Sequence, residues 1–102
     1  MSNLTATGLN KIATLFVYSL SHATYKLNGV NHTIGFVRTI ITDNIVKIYI
    51  WFDDTISGEI RDIAIIDIDN DIVATSTNVY AKITGDGLYV SFKYQLTELE
   101  VL

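Results

Sequence analysis

Gly58 to Thr75 reads GEIRDIAIIDIDNDIVAT. Isoleucine, valine and threonine favour extended backbone, because branching at Cβ restricts χ1 and suits the side chain to a pleated surface. Asp67, Asp69, Asn70 and Asp71 break the apolar run with short polar side chains that accept backbone hydrogen bonds and tolerate tight turns. The stretch predicts a β-hairpin centred near Asp69-Asn70, with strands Glu59 to Ile68 and Asp71 to Thr77. The rest of the chain is then expected to arrange itself beside this hairpin.

Upstream, Ile45 to Phe52 alternates cleanly. Val46, Ile48, Ile50 and Phe52 form an aliphatic and aromatic row suited to a core, while Ile45, Lys47, Tyr49 and Trp51 form an amphipathic one. Downstream, Leu88 to Leu96 repeats the pattern, with Leu88, Val90, Phe92, Tyr94 and Leu96 on one face and Tyr89, Ser91, Lys93 and Gln95 on the other. Tyr80 to Ile83 reads as a short edge segment, and Thr84-Gly85-Asp86-Gly87 as a turn. Ala23 to Leu27 predicts a short strand closed by Asn28-Gly29, a dipeptide suited to positive φ. His32 to Thr42 reads as one extended segment whose buried face its mixed pattern does not decide, and Asp43-Asn44 as a turn.

Helical periodicity is confined to the N-terminal region. Leu9, Ile12, Ala13, Phe16, Val17 and Leu20 recur at three- and four-residue spacing. Thr5 or Thr7 is suited to cap the helix by accepting a backbone hydrogen bond. The expected fold class is mainly β (α+β): a single domain, residues 1–102, with a helix over about 5–20 and an antiparallel region over about 23–97. The helix packs on an antiparallel sheet or small β-sandwich of about six strands. Thr97 to Leu102 is less regular, and is expected to fray or dock on a neighbour.

Composition narrows the function classes. Half the residues are apolar and proline is absent, which suits a folded sheet protein. Seven Lys/Arg against eleven Asp/Glu, scattered rather than clustered, argue against nucleic-acid binding. No cysteine is present, so disulfides, thiolate catalysis and thiolate metal sites are excluded. The start lacks the pattern of a signal peptide, and no apolar run reaches the roughly 18 residues of a membrane helix, so membrane insertion is not expected.

The candidate chemistry is sparse. Asp67-x-Asp69-x-Asp71 resembles the opening of a calcium loop, but such a loop needs Gly at its sixth position and a bidentate carboxylate at its twelfth, where this chain has Ile72 and Asn78. A polar turn is the better reading. His22 and His32 lack a third nitrogen or sulfur ligand for zinc. Adjacent Asp53 and Asp54 point to opposite faces of extended chain, which suits no acid–base pair. The expectation is a non-enzyme without cofactor or metal. The aromatics Tyr49, Trp51 and Tyr89 are the candidate interface or ligand-stacking residues, read either as cross-strand pairs, as residues under the helix, or as a binding hot spot.

Three segments carry a family resemblance. Leu4-Thr5-Ala6-Thr7-Gly8-Leu9-Asn10 looks like the L-T-N-A-G-L-N helix opening of small tail- or baseplate-associated proteins of tailed bacteriophages, with Ala6-Thr7 in place of Asn-Ala. Gly58-Glu59-Ile60-Arg61-Asp62-Ile63-Ala64-Ile65-Ile66-Asp67 is similar to their G-x-I-x-E-I-G-L-F-D pattern, with Asp62 at the acidic position. The later Lys82 and Gly87-Leu88-Tyr89-Val90-Ser91-Phe92 resemble the family's closing strand. The resemblance implies a virion structural protein of a phage or prophage, acting in the tail, baseplate or fibre. It would be made in the host cytoplasm and would contact other tail proteins and itself, as a trimer or hexamer. The alternative is a receptor- or carbohydrate-binding module of the tail.

Overall fold

The computed structural model describes residues 4–96, and the expected irregular segment at 97–102 lies outside them. One helix, α1 (Ala6–Tyr18), is followed by eight strands: β1 (Leu20–Leu27), β2 (Val30–Ile34), β3 (Arg38–Thr42), β4 (Ile45–Phe52), β5 (Gly58–Asp67), β6 (Ile72–Thr75), β7 (Tyr80–Lys82) and β8 (Leu88–Gln95). Every pairing is antiparallel. Five strands form one sheet in the order β2-β1-β5-β6, with β7 also on β5, and three form a second in the order β3-β4-β8. The mainly β class with an N-terminal helix is as expected; the count of about six strands is too low.

The shortfall has a local cause. Residues 32–42 are not one segment: β2 belongs to the first sheet and β3 to the second, with Gly35 to Val37 crossing between them. Isoleucines and threonines on both sides favour extended backbone equally, so propensity cannot show that the chain changes partner at Gly35. The three-residue β7 on β5, where a short edge segment is expected, completes the count.

The β5–β6 hairpin forms where expected. Asp67 Oδ1 accepts from the Asp69 and Asp71 backbone N–H groups at 3.0 and 2.9 Å, and Asn70 takes positive φ at 66°. The Asn28-Gly29 turn also closes as expected, with φ of 50° and 83°. Within β5 the register slips: Thr24 faces Ala64, but Lys26 faces Arg61, so β5 advances three residues while β1 advances two. Asp62, at φ 52°, is the residue in the left-handed region there. This bulge resets the side-chain phase. Strict alternation would put Ile60 opposite in direction to Ile63 and Ile65; with the bulge all three are fully buried in one cluster.

That cluster joins the two sheets. The inward row of β4, Val46, Ile48, Ile50 and Phe52, is fully buried, as its alternation predicts, and Val90 and Phe92 of β8 lie in the same core. Tyr25 from β1 meets Phe52 edge-on at 4.9 Å. The helix starts at Thr5, whose hydroxyl accepts from Gly8 N–H at 3.0 Å. It contributes fully buried Ala13, with Phe16 and Val17 packed beside it, but the expected stripe is only partly covered, since Ile12 stays 44% exposed. The helix borders β3 and β4 alone among the strands with substantial contact, which is too little sheet to bury a full stripe. The described body is elongated, about 54 × 23 × 22 Å.

Candidate functional site

Because Val46, Ile48, Ile50 and Phe52 point inward, the pleat sends Ile45, Lys47, Tyr49 and Trp51 to the opposite, outer face of β3-β4-β8. The register completes that face. Tyr89 lies opposite Trp51, Ser91 opposite Tyr49 and Lys93 opposite Lys47 on β8; Arg38 lies opposite Tyr49 and Ile40 opposite Lys47 on β3. The three candidate aromatics therefore share one face, two on β4 and one directly across from Trp51. They do not lie under the helix, whose buried residues join the core on the other side of the sheet.

Trp51 and Tyr89 form a tilted cross-strand pair with ring centroids 4.5 Å apart. Trp51 is 37% exposed and Tyr89 63% exposed. The indole lies across Gly87, where an added Cβ would fall 1.7 Å from Cη2 of the ring. Gly87 is thus bare because the tryptophan occupies its side-chain space, as in pairs where an aromatic covers a strand-end glycine. Beside the pair, Val37, Arg38, Tyr49 and Tyr89 line an open groove of about 460 Å³. The groove combines apolar walls with one guanidinium, the composition of a binding surface.

The charge on this face is one-sided. Arg38, Lys47 and Lys93 lie on it, and none of the residues in β3, β4 or β8 is acidic. Three of the chain's seven Lys/Arg thus gather on one face of a protein whose net charge is −4. Lys47 and Lys93 sit directly opposite one another, an arrangement that costs stability in an isolated sheet. Sequence reasoning identified the aromatics but missed Val37, Arg38 and Gly87. The period-two pattern held a signal for Arg38; the role of Gly87 required the register.

The other candidates have structural tasks. Asp67, Asp69 and Asp71 place carboxylate oxygens within 4.8 Å of one another, but Asp67 closes the turn by accepting two backbone N–H groups, while Asp69 and Asp71 are exposed. His32 stacks on Tyr25 at 5.4 Å, and His22 Nδ1 meets the Ser21 hydroxyl at 2.9 Å. The Asp53 carboxylate accepts from the Thr55 hydroxyl and backbone N–H, and these bonds hold its pKa below the usual range, with the Lys82 charge a lesser contributor. Burial pushes the Tyr25 hydroxyl up, aided by the Asp53 charge, and burial alone does the same to Tyr94. Lys82, which the sequence did not single out, is 6% exposed and donates from Nζ to the Ile56 carbonyl at 2.6 Å. That bond ties the 53–57 loop to β7.

Comparisons of the chain with family models, curated proteins and solved structures gave no match.

Proposed function

We propose that this chain is a virion structural protein of a tailed bacteriophage or prophage, acting in tail, baseplate or fibre assembly through protein–protein contacts. The tailed-phage setting rests on the resemblance of Leu4–Asn10 and Gly58–Asp67 described above. The contact role rests on one observation, the outer face of β3-β4-β8. That face presents Trp51, Tyr89, Tyr49 and Val37 beside three cations, with no carboxylate among its strands. Aromatic and arginine side chains dominate binding energy at interfaces because they bury large areas at small entropic cost. The opposed Lys47 and Lys93 favour a partner that brings carboxylates to this face.

Mass spectrometry of virions purified from cells carrying the gene tests the reading. The chain is expected in fixed proportion to tail proteins, and its absence from intact particles overturns the proposal. A second reading is favoured by the Trp51–Tyr89 platform, namely a carbohydrate- or receptor-binding module of the tail, since sugar rings stack on exposed indole and phenol faces. Trp51 is the sole tryptophan, so a glycan panel read by its fluorescence separates the two. A saturable change with a glycan supports the second reading, and a uniformly flat response removes it.

A further inference from the structure

Strand edges present unpaired N–H and C=O groups, and folded proteins keep such edges short, charged or covered. Four of the five non-central strands here follow that rule. β2 and β3 have five residues, β6 four and β7 three, and the Asn10 side chain of the helix donates to the Asp43 carbonyl at the end of β3. β8 follows it only in its single charge, Lys93. It runs eight residues along β4 in unbroken register, without a bulge or proline, and among the described residues it pairs with no other strand.

The direction of its free groups can be worked out. Leu96 N–H donates to the Asn44 carbonyl at 2.8 Å, which sets the alternation of the ladder. In an antiparallel pair, successive residues direct their backbone groups alternately toward and away from the partner. Val90, Phe92 and Tyr94 therefore bond to β4, while Tyr89, Ser91, Lys93 and Gln95 aim their N–H and C=O groups at the open side. Among the described residues, no hydrogen bond reaches those outward groups.

We propose that β8 is the site of self-association, pairing antiparallel with β8 of a second copy about a two-fold axis at Phe92. The inference rests on the assembly reading above and names the partner for this edge. Three two-fold registers join outward groups to outward groups near the strand's middle. Centring on Lys93 sets that lysine against its own copy, a destabilising like-charge pair. Centring on Ser91 leaves the C-terminal end of the strand unmatched. Centring on Phe92 pairs the whole strand: Tyr89 meets Gln95 of the second copy, and Ser91 meets Lys93.

In that register four narrow rungs form, each with two backbone hydrogen bonds. The two three-stranded sheets become one of six strands. Leu88, Val90, Phe92, Tyr94 and Leu96 then run as a continuous apolar row across the axis, covering Leu88, Tyr94 and Leu96, which are half-buried in the single chain. The outer aromatic face stays open on both copies. A two-fold contact alone closes a dimer, and a hexamer arises from it only with a second, threefold contact.

Cysteine placement tests both the association and the register, since the chain has no native thiol. Tyr89→Cys chains mixed with Gln95→Cys chains bring the two residues to a Cα separation of about 5.5 Å, within disulfide reach. Copies of the same variant hold their thiols roughly 20 Å apart along the strand. The expected result is a cross-linked dimer from the mixture and none from either variant alone. Ser91→Pro removes an outward N–H while leaving the ladder to β4 intact, and proline is tolerated at such positions of an edge strand. Light scattering should show a dimer for the parent chain. For the Pro variant it should show a dissociation constant raised roughly tenfold or more, the loss of two net hydrogen bonds, with unchanged Trp51 fluorescence. A monomer at several hundred micromolar, or cross-linking by one variant alone, overturns the proposal. Either result leaves the particle measurement free to support the virion role, and a dimer absent from particles would sink that role alone.

Discussion

The bulge at Asp62 makes the number of residues in β5 matter more than their identity at that point. Consider Asp62→Gly first. A left-handed backbone costs a residue with Cβ about 1 kcal/mol, which glycine recovers, while glycine brings about 0.5–1 kcal/mol of extra entropy loss. The Lys26–Asp62 ion pair, 3.6 Å long and largely exposed, is worth about 0.2–1 kcal/mol. These terms nearly cancel, so the variant should stay within about 1 kcal/mol of the parent. Inserting one alanine after Asp62 is different. The bulge absorbs a single extra residue, so the added one turns fully buried Ile60 outward, forfeiting about 1.5–3 kcal/mol, and turns Arg61 toward the core. If residues 58–61 instead detach, Gly58 to Ile60 lose their pairing with β7, at about 1 kcal/mol net per hydrogen bond. By either route the insertion should cost at least about 3 kcal/mol, more than a hundredfold in the folding equilibrium. Urea unfolding followed by Trp51 fluorescence measures both, and the insertion should lower the midpoint by more than about 1 M while Asp62→Gly barely moves it. An insertion variant within about 1 kcal/mol of the glycine variant would refute the phase argument.

Gly87→Ala should displace the indole that now fills its side-chain space, losing about 0.5–1.5 kcal/mol of the Trp51–Tyr89 pair while the unfolded chain loses about 0.4–1 kcal/mol of entropy. The stability change is therefore small, and the expected sign of displacement is a red-shifted, more quenchable Trp51 emission. Thr5→Ala removes the acceptor for Gly8 N–H and should destabilise by about 0.5–2 kcal/mol in thermal unfolding, whereas Thr5→Ser should restore most of it. Asp53 has a folded-state pKa below its usual 3.8, so its contribution is present above that value and is lost as pH falls through the folded pKa. Asp53→Asn should consequently flatten the acid side of the stability–pH curve and leave its shape unchanged above about pH 6.

How much of this fold was legible depended on whether each signal was local. β4 was read correctly end to end because its alternation is unbroken and its inward row is wholly aliphatic or aromatic. The three turn signals also held, since Asn28-Gly29, Asp43-Asn44 and Asp69-Asn70 each place a residue that tolerates positive φ. In β5 the hairpin was legible but the bulge was not. Its trace was present as isoleucines three apart at 60 and 63 with a polar Arg-Asp pair between them, a spacing that no uninterrupted strand would bury on one face. The exchange of sheets at Gly35 left no such trace, because the identity of a strand's partner is a property of distant residues.

The candidate face shows the same division more sharply. Tyr49, Trp51 and Tyr89 could be chosen from sequence because each alternates with a core residue, so fixing the inward rows fixes the outward ones. Their juxtaposition, the glycine beneath Trp51 and the opposed lysines follow only from the β4–β8 register, which pairs residues about 40 positions apart. Stability explains the inward row completely, yet it does not explain the outward one. A sheet selected for stability alone would set Lys47 against an acid and would shield an indole at the strand end. On this face it does neither, while on the inward side of the same sheet the β4 row is fully buried and Val90 and Phe92 of β8 join it in the core. That contrast, on two faces of one sheet under one backbone geometry, is the physical reason the proposed contact surface is put here and not at the acidic turn, where Asp67 accepts two backbone hydrogen bonds of the turn itself.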